Sequence, residues 1–167
     1  MEYRRIALIG ISASGKSTVS RVIESKTKLP LFHMDQLFWK GNWEAVPEEE
    51  YLEKHTSIIA QERWIIEGYV DEKMSERLGR ADIVLYLDYS GIRCAFQLVK
   101  RWLTHRKESR PELAQEALEK LSVSFLWLVF TRGERPRIEG ALGEVIPKNL
   151  YRFTTPRDLK DFVSKNF

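Results

Sequence analysis

A single cysteine, Cys94, excludes an internal disulfide, and three scattered histidines present no metal cage at zinc-type spacing. Long apolar runs are missing: the strongest, residues 125–130, falls far below the length that spans a bilayer. No basic-then-apolar stretch opens the chain, so the expectation is a soluble, cytoplasmic protein with no membrane partner. Repeats, low-complexity tracts and a linker rich in Gly, Pro and Ser are also absent, which leaves one domain over residues 1–167. Arginine is missing from residues 33–62, which hold seven acids and only Lys40 and Lys54 as bases. A partner that already carries a phosphate needs basic groups around it, so this segment suits an uncharged one.

What is present is unevenly placed. The net charge of +3 hides a basic block, in which Lys100, Arg101, Arg106, Lys107 and Arg110 face Glu108 alone. Such segregation suits a protein that handles a polyphosphate at one place and an uncharged molecule at another.

The most specific motif is Gly10-Ile11-Ser12-Ala13-Ser14-Gly15-Lys16-Ser17-Thr18, entered from the apolar residues Ile6-Ala7-Leu8-Ile9. It satisfies G-x-x-x-x-G-K-[ST] between a strand signal and a helix signal, which makes it a phosphate-binding loop. Its glycines let successive N–H groups turn inward, and the helix that starts near Ser17 adds the partial positive charge of its N-terminus. Lys16 then reaches the β and γ phosphates, and Ser17 offers its hydroxyl to Mg²⁺.

Apolar runs of β-type composition recur at residues 6–9, 31–34, 64–66, 83–87 and 150–153. Between them, apolar residues fall at helical spacing, as in Val19, Val22 and Ile23 or Leu98 and Trp102. Alternation of this kind predicts an α/β fold with a parallel sheet and helices on both faces. Thr155-Pro156-Arg157-Asp158 predicts a capped start for a last helix. Residues 131–148, with three glycines and two prolines, read as a surface connection.

Ligands of such sheets bind beyond the carboxyl ends of the strands. There the second strand delivers Asp35, the third Glu67 and the fourth Asp88. Asp35 is placed to accept the proton of an acceptor hydroxyl and aim its oxygen. Glu67 ends an apolar strand, where an acid holds Mg²⁺ or its waters beside Ser17. Asp88 reads as a structural or capping acid, and His33 as a satisfied histidine on one sheet face. Arg101, Arg106 and Arg110 are the candidate clamp on the phosphates, with a solvated helical face as the plainer alternative. Phe38, Trp39 and Trp43 offer a wall for an acceptor ring or sugar, or else the packing of a flap. Arg132, Arg135 and Arg137 read as a small basic patch elsewhere.

With these residues in place, the chain resembles the adenylate-kinase-like small kinases of the P-loop class, and among them the bacterial topology modulation proteins. The narrower likeness lies in His33-Met34-Asp35 with Trp39 and Asn42-Trp43, in Trp64-Ile65-Ile66-Glu67-Gly68-Tyr69, in Leu85-Tyr86-Leu87-Asp88 with Arg93-Cys94, and in Arg110-Pro111-Glu112. The resemblance implies a three-layer fold with strand order 2-3-1-4-5, ATP as donor, a helical lid that closes, and a loop around Thr154-Thr155-Pro156 passing near the adenine. The acceptor-binding insertion then covers about residues 35–62 and the lid about 100–112.

The combined expectation is an ATP- and Mg²⁺-dependent kinase that phosphorylates the hydroxyl of a small molecule, a nucleoside among the candidates. The alternatives are a nucleotide-binding regulator associated with DNA, which requires a contiguous basic face, and a nucleoside triphosphatase without an acceptor. Monomer and homodimer are both left open.

Overall fold

The structure is a computed structural model that describes residues 3–40, 43–71, 73–105 and 121–167. The five apolar runs form the strands β1 (Arg5–Gly10), β2 (Leu31–His33), β3 (Trp64–Glu67), β4 (Ile83–Leu87) and β5 (Leu150–Phe153). All four strand pairings are parallel, and the order is β2-β3-β1-β4-β5. β1, β3 and β4 are buried on both faces, which is why they read as continuous apolar runs and not as alternating ones. β5 is an edge strand and keeps Leu150, Tyr151 and Arg152 exposed.

Helices pack around this sheet. In chain order they are α1 (Lys16–Thr27), α2 (Met34–Phe38), α3 (Glu48–Ile59), α4 (Met74–Arg80), α5 (Gly91–His105), α6 (Val123–Phe130), α7 (Arg135–Glu144) and α8 (Pro156–Asn166). α1 packs on β1, β2 and β3, α4 and α7 on β1, and α8 on β5. The core draws Trp64, Ile6, Leu8, Ile65, Ile66 and Tyr86 almost fully out of water. Each aliphatic side chain so buried contributes about 1.5–3 kcal/mol. α8 begins as its sequence predicts, with the Thr155 hydroxyl accepting from the Asp158 N–H and Pro156 in the first turn.

One expectation is overturned. Residues 131–148 are no simple connection, because α7 occupies most of them and buries Ile138 and Ala141. Gly140 and Gly143 are tolerated because packing of an apolar face outweighs a propensity cost of about 1 kcal/mol for each glycine. No helix among the described residues is long and apolar enough to cross a membrane.

Parallel register brings the strand ends level. Leu8 of β1 lies beside Glu67, Glu67 beside His33, and Gly10 beside Leu87. The loop after β1, the start of α2 and the turn after β3 therefore meet at one edge of the sheet.

Candidate active site

The loop from Gly10 to Thr18 leaves β1 and closes into the first turn of α1. Gly10 is required by crowding: a Cβ there would lie 2.7 Å from the Leu87 carbonyl oxygen and 2.8 Å from Ser14 Oγ. Ala13, at φ 60, and Gly15, at φ 94, take left-handed backbone angles that turn the following amides inward. The Lys16 ammonium folds back on the loop, donating to the carbonyls of Gly10 at 2.9 Å and Ile11 at 3.0 Å. The loop also holds an anion of the chain's own. Glu134, the residue before α7, accepts from the Ser12 N–H at 2.5 Å and from the Ser12 hydroxyl at 2.9 Å.

Glu67 is buried to 1 % exposure at the end of β3. The His33 ring contacts its Oε1 through Nδ1 at 2.5 Å. Its second oxygen, Oε2, is buried without a hydrogen-bond partner among the described residues. An unsatisfied buried carboxylate oxygen costs free energy, so a cation or cation-bound water is the kind of group this atom fits. Among the described residues no group of three or more His, Cys, Asp or Glu could hold a metal by itself. Any ion here would need oxygens from a bound phosphate as well, with Ser17 and Glu67 on the same cleft wall.

Asp35 sits in the first turn of α2, and the turn after β3 closes on it. Gly68 has φ 96, and a Cβ on it would fall 2.5 Å from Asp35 Oδ2. The Tyr69 N–H donates to the same oxygen at 3.4 Å. Behind this turn lies a residue that the sequence reading missed. Arg77 of α4, 2 % exposed, donates to the carbonyl oxygens of Gly68 and Tyr69 and to Asp71 at 2.6 Å. Tyr51 donates its hydroxyl to the same Asp71 oxygen. An arginine inside a helix carries no signal of burial, since its partners, two backbone carbonyls and a carboxylate, are brought into position only by folding.

These elements bound one cleft of about 1440 Å³, larger than the range of about 300–1,000 Å³ usual for single small ligands. Its lining includes the loop, Val22, Pro156, Leu159 and Val163 together with Asp35, Glu67, Trp39, Trp43 and Tyr69. Trp39 and Trp43 lie with ring centroids 5.9 Å apart on this wall. Phe38 belongs to the packing behind it, stacked on Tyr69 at 3.8 Å and set edge-on to Tyr51.

Arg101 lines the cleft beside Lys100 and Arg93. Arg106 and Arg110 lie outside the described residues. The expected patch of Arg132, Arg135 and Arg137 is divided, because the turn between α6 and α7 lies against Asp88 at the end of β4. Arg137 lines the cleft directly. Arg132 and Arg135 clasp Asp88, the latter with contacts of 3.1 and 3.2 Å, and Arg152 adds one at 3.3 Å. Cys94 is buried, which pushes its thiol up to about 11 and keeps it protonated and unreactive.

No protein-family model matches the chain, and no curated protein does. Solved structures do. A shikimate kinase from Bacteroides thetaiotaomicron aligns over 98% of this chain and 96% of its own, with a TM-score of 0.58 at 14% identity. A deoxyadenosine kinase from M. mycoides with bound dATP aligns over 96% of this chain and 97% of its own, with a TM-score of 0.57 at 16% identity. Shikimate kinase from Acinetobacter baumannii in complex with shikimate covers 98% and 95%, at 0.55 and 13%. Identities this low speak for architecture alone, and with the strand order they establish that the chain has the fold of the P-loop small kinases.

Proposed function

We propose that the protein is an ATP-dependent phosphotransferase that moves the terminal phosphoryl group of ATP to the hydroxyl of a small molecule, with a nucleoside as the leading candidate. The observation that carries this reading is the shared cleft: a phosphate loop, Asp35 and Glu67 stand on one wall system, with an aromatic face and no arginine in residues 33–62. The fold is shared with kinases named for deoxyadenosine and shikimate. The finer likeness to the topology modulation proteins rests on sequence motifs.

In this reading the amides of residues 10–18 and Lys16 hold the polyphosphate, and Pro156, Leu159 and Val163 receive the base. Ser17 and Glu67 would hold Mg²⁺, which when bound would neutralise charge that moves during transfer. Asp35 orients the acceptor hydroxyl and takes its proton as the oxygen bonds to phosphorus and the bond to the β-phosphate oxygen breaks, leaving ADP. Arg101 supplies positive charge to the transferring group, as would Arg106 and Arg110 in the lid expected over about residues 100–112, and residues 35–62 receive the acceptor. Arg137, facing the cleft, joins them.

The test is ADP release from Mg·ATP across panels of nucleosides, nucleoside monophosphates and sugars. A hydroxyl-bearing panel should raise release well above the acceptor-free rate. No response from any panel, with tight and salt-sensitive DNA binding, would replace this reading with a DNA-associated regulator. Release that needs no acceptor would replace it with a triphosphatase.

A further inference from the structure

Glu134 presents a chemical oddity: a carboxylate seated on a loop whose amides are shaped for anions. Both its oxygens engage Ser12, one at the backbone N–H (2.5 Å) and one at the hydroxyl (2.9 Å), across 122 residues of chain. The backbone on either side of it is held in place. The turn that carries it is tied by Gly133 N–H to the Leu128 carbonyl and by Arg135 N–H to the Arg132 carbonyl. Arg132 and Arg135, flanking that turn, are anchored on Asp88 at the end of β4, next to the strand that feeds the loop.

A carboxylate and a phosphate oxygen accept the same hydrogen bonds, so they compete for the Ser12 amide. The internal ligand has the advantage of being tethered, which raises its effective concentration. The polyphosphate has more charge and more acceptor oxygens, so it wins at sufficient concentration. Apparent affinity is then reduced by the fraction of molecules in which the loop is already filled.

We propose that Glu134 is an internal occupant of the phosphate loop which the terminal phosphate of a nucleotide must displace, so that this residue sets the loop's affinity for polyphosphate. The proposal rests on the nucleotide-binding reading above. It assigns Glu134 a regulatory role in binding, separate from the chemistry of transfer.

Isothermal titration calorimetry with ATP, and separately with inorganic tripolyphosphate, tests it on the wild type, Glu134→Gln and Glu134→Ala. Alanine removes both acceptor oxygens, while glutamine keeps one acceptor and loses the charge. The expected result is tighter binding of both probes, by about tenfold for alanine and by less for glutamine. The effect on tripolyphosphate should match that on ATP, since the base takes no part in the competition. Affinity equal to wild type, or weaker in both variants, would overturn the proposal and leave Glu134 as a structural pin of the loop. If neither ATP nor tripolyphosphate binds any of the three proteins, the nucleotide-binding reading itself falls. Thermal melting of each variant checks that the comparison is between folded proteins.

Discussion

His33 and Glu67, adjacent across the β2–β3 pairing, meet through Nδ1 and Oε1 at 2.5 Å, and this contact leaves Glu67 Oε2 as the oxygen without a partner among the described residues. In the proposed reaction His33 would orient the carboxylate from behind it. Replacing it by leucine should raise the Mg²⁺ concentration needed for half-maximal turnover by about tenfold, the lower end of the effects seen for groups behind metal ligands. Asparagine, whose side-chain nitrogen can stand near the position of Nδ1, should restore much of it. A Mg²⁺ titration at fixed ATP reads the difference, and equal curves for all three proteins would show that His33 does not act on Glu67 as a metal ligand.

Asp35 carries the sharpest chemical prediction. Asp35→Asn should lower turnover by about 10²–10⁴-fold while ATP binding stays unchanged, because asparagine keeps the shape and loses the base. Gly68→Ala should reproduce part of this loss by displacing the Asp35 carboxylate while leaving its chemistry intact. Its added Cβ would be 2.5 Å from Asp35 Oδ2, and φ 96 is costly for alanine. Wild-type turnover in Asp35→Asn would retire the assignment.

His55 predicts a pH dependence of stability. It is 1 % exposed, and both ring nitrogens lack a hydrogen-bond partner among the described residues. Burial, followed by the nearby Arg77 guanidinium, holds its pKa below the ordinary histidine value. The unfolded chain therefore binds a proton that the folded chain resists. Stability is present above the unfolded value, about pH 6.5, and falls as the pH drops through it. Replacement by leucine should flatten the loss of melting temperature between pH 7 and pH 5.5, and an unchanged slope would place that dependence elsewhere.

The five strands and the phosphate loop were legible in the chain itself because their signals are local. A run such as Ile83 to Leu87 is apolar throughout since both sheet faces are covered, and the loop's glycines answer to backbone angles set within a few residues. Thr155 announced α8 for the same reason, as a cap is satisfied by an amide three residues away. The helical character of residues 135–144 was obscured by Pro136, Gly140 and Gly143, because its stability comes from packing Ile138 and Ala141 and not from propensity.

Composition and spacing alone determined that this chain builds a parallel sheet, curls a phosphate loop into its first helix and sends Asp35 and Glu67 to strand ends. Only the tertiary structure decided which groups stand behind them. Arg137 in the cleft and Glu134 on Ser12 bring together segments far apart in sequence, and Arg77 meets the Gly68 turn through the packing of α4. No local pattern encodes such pairs, since their partners come within reach only when β1, β3 and β4 align and carry their loops to a common edge.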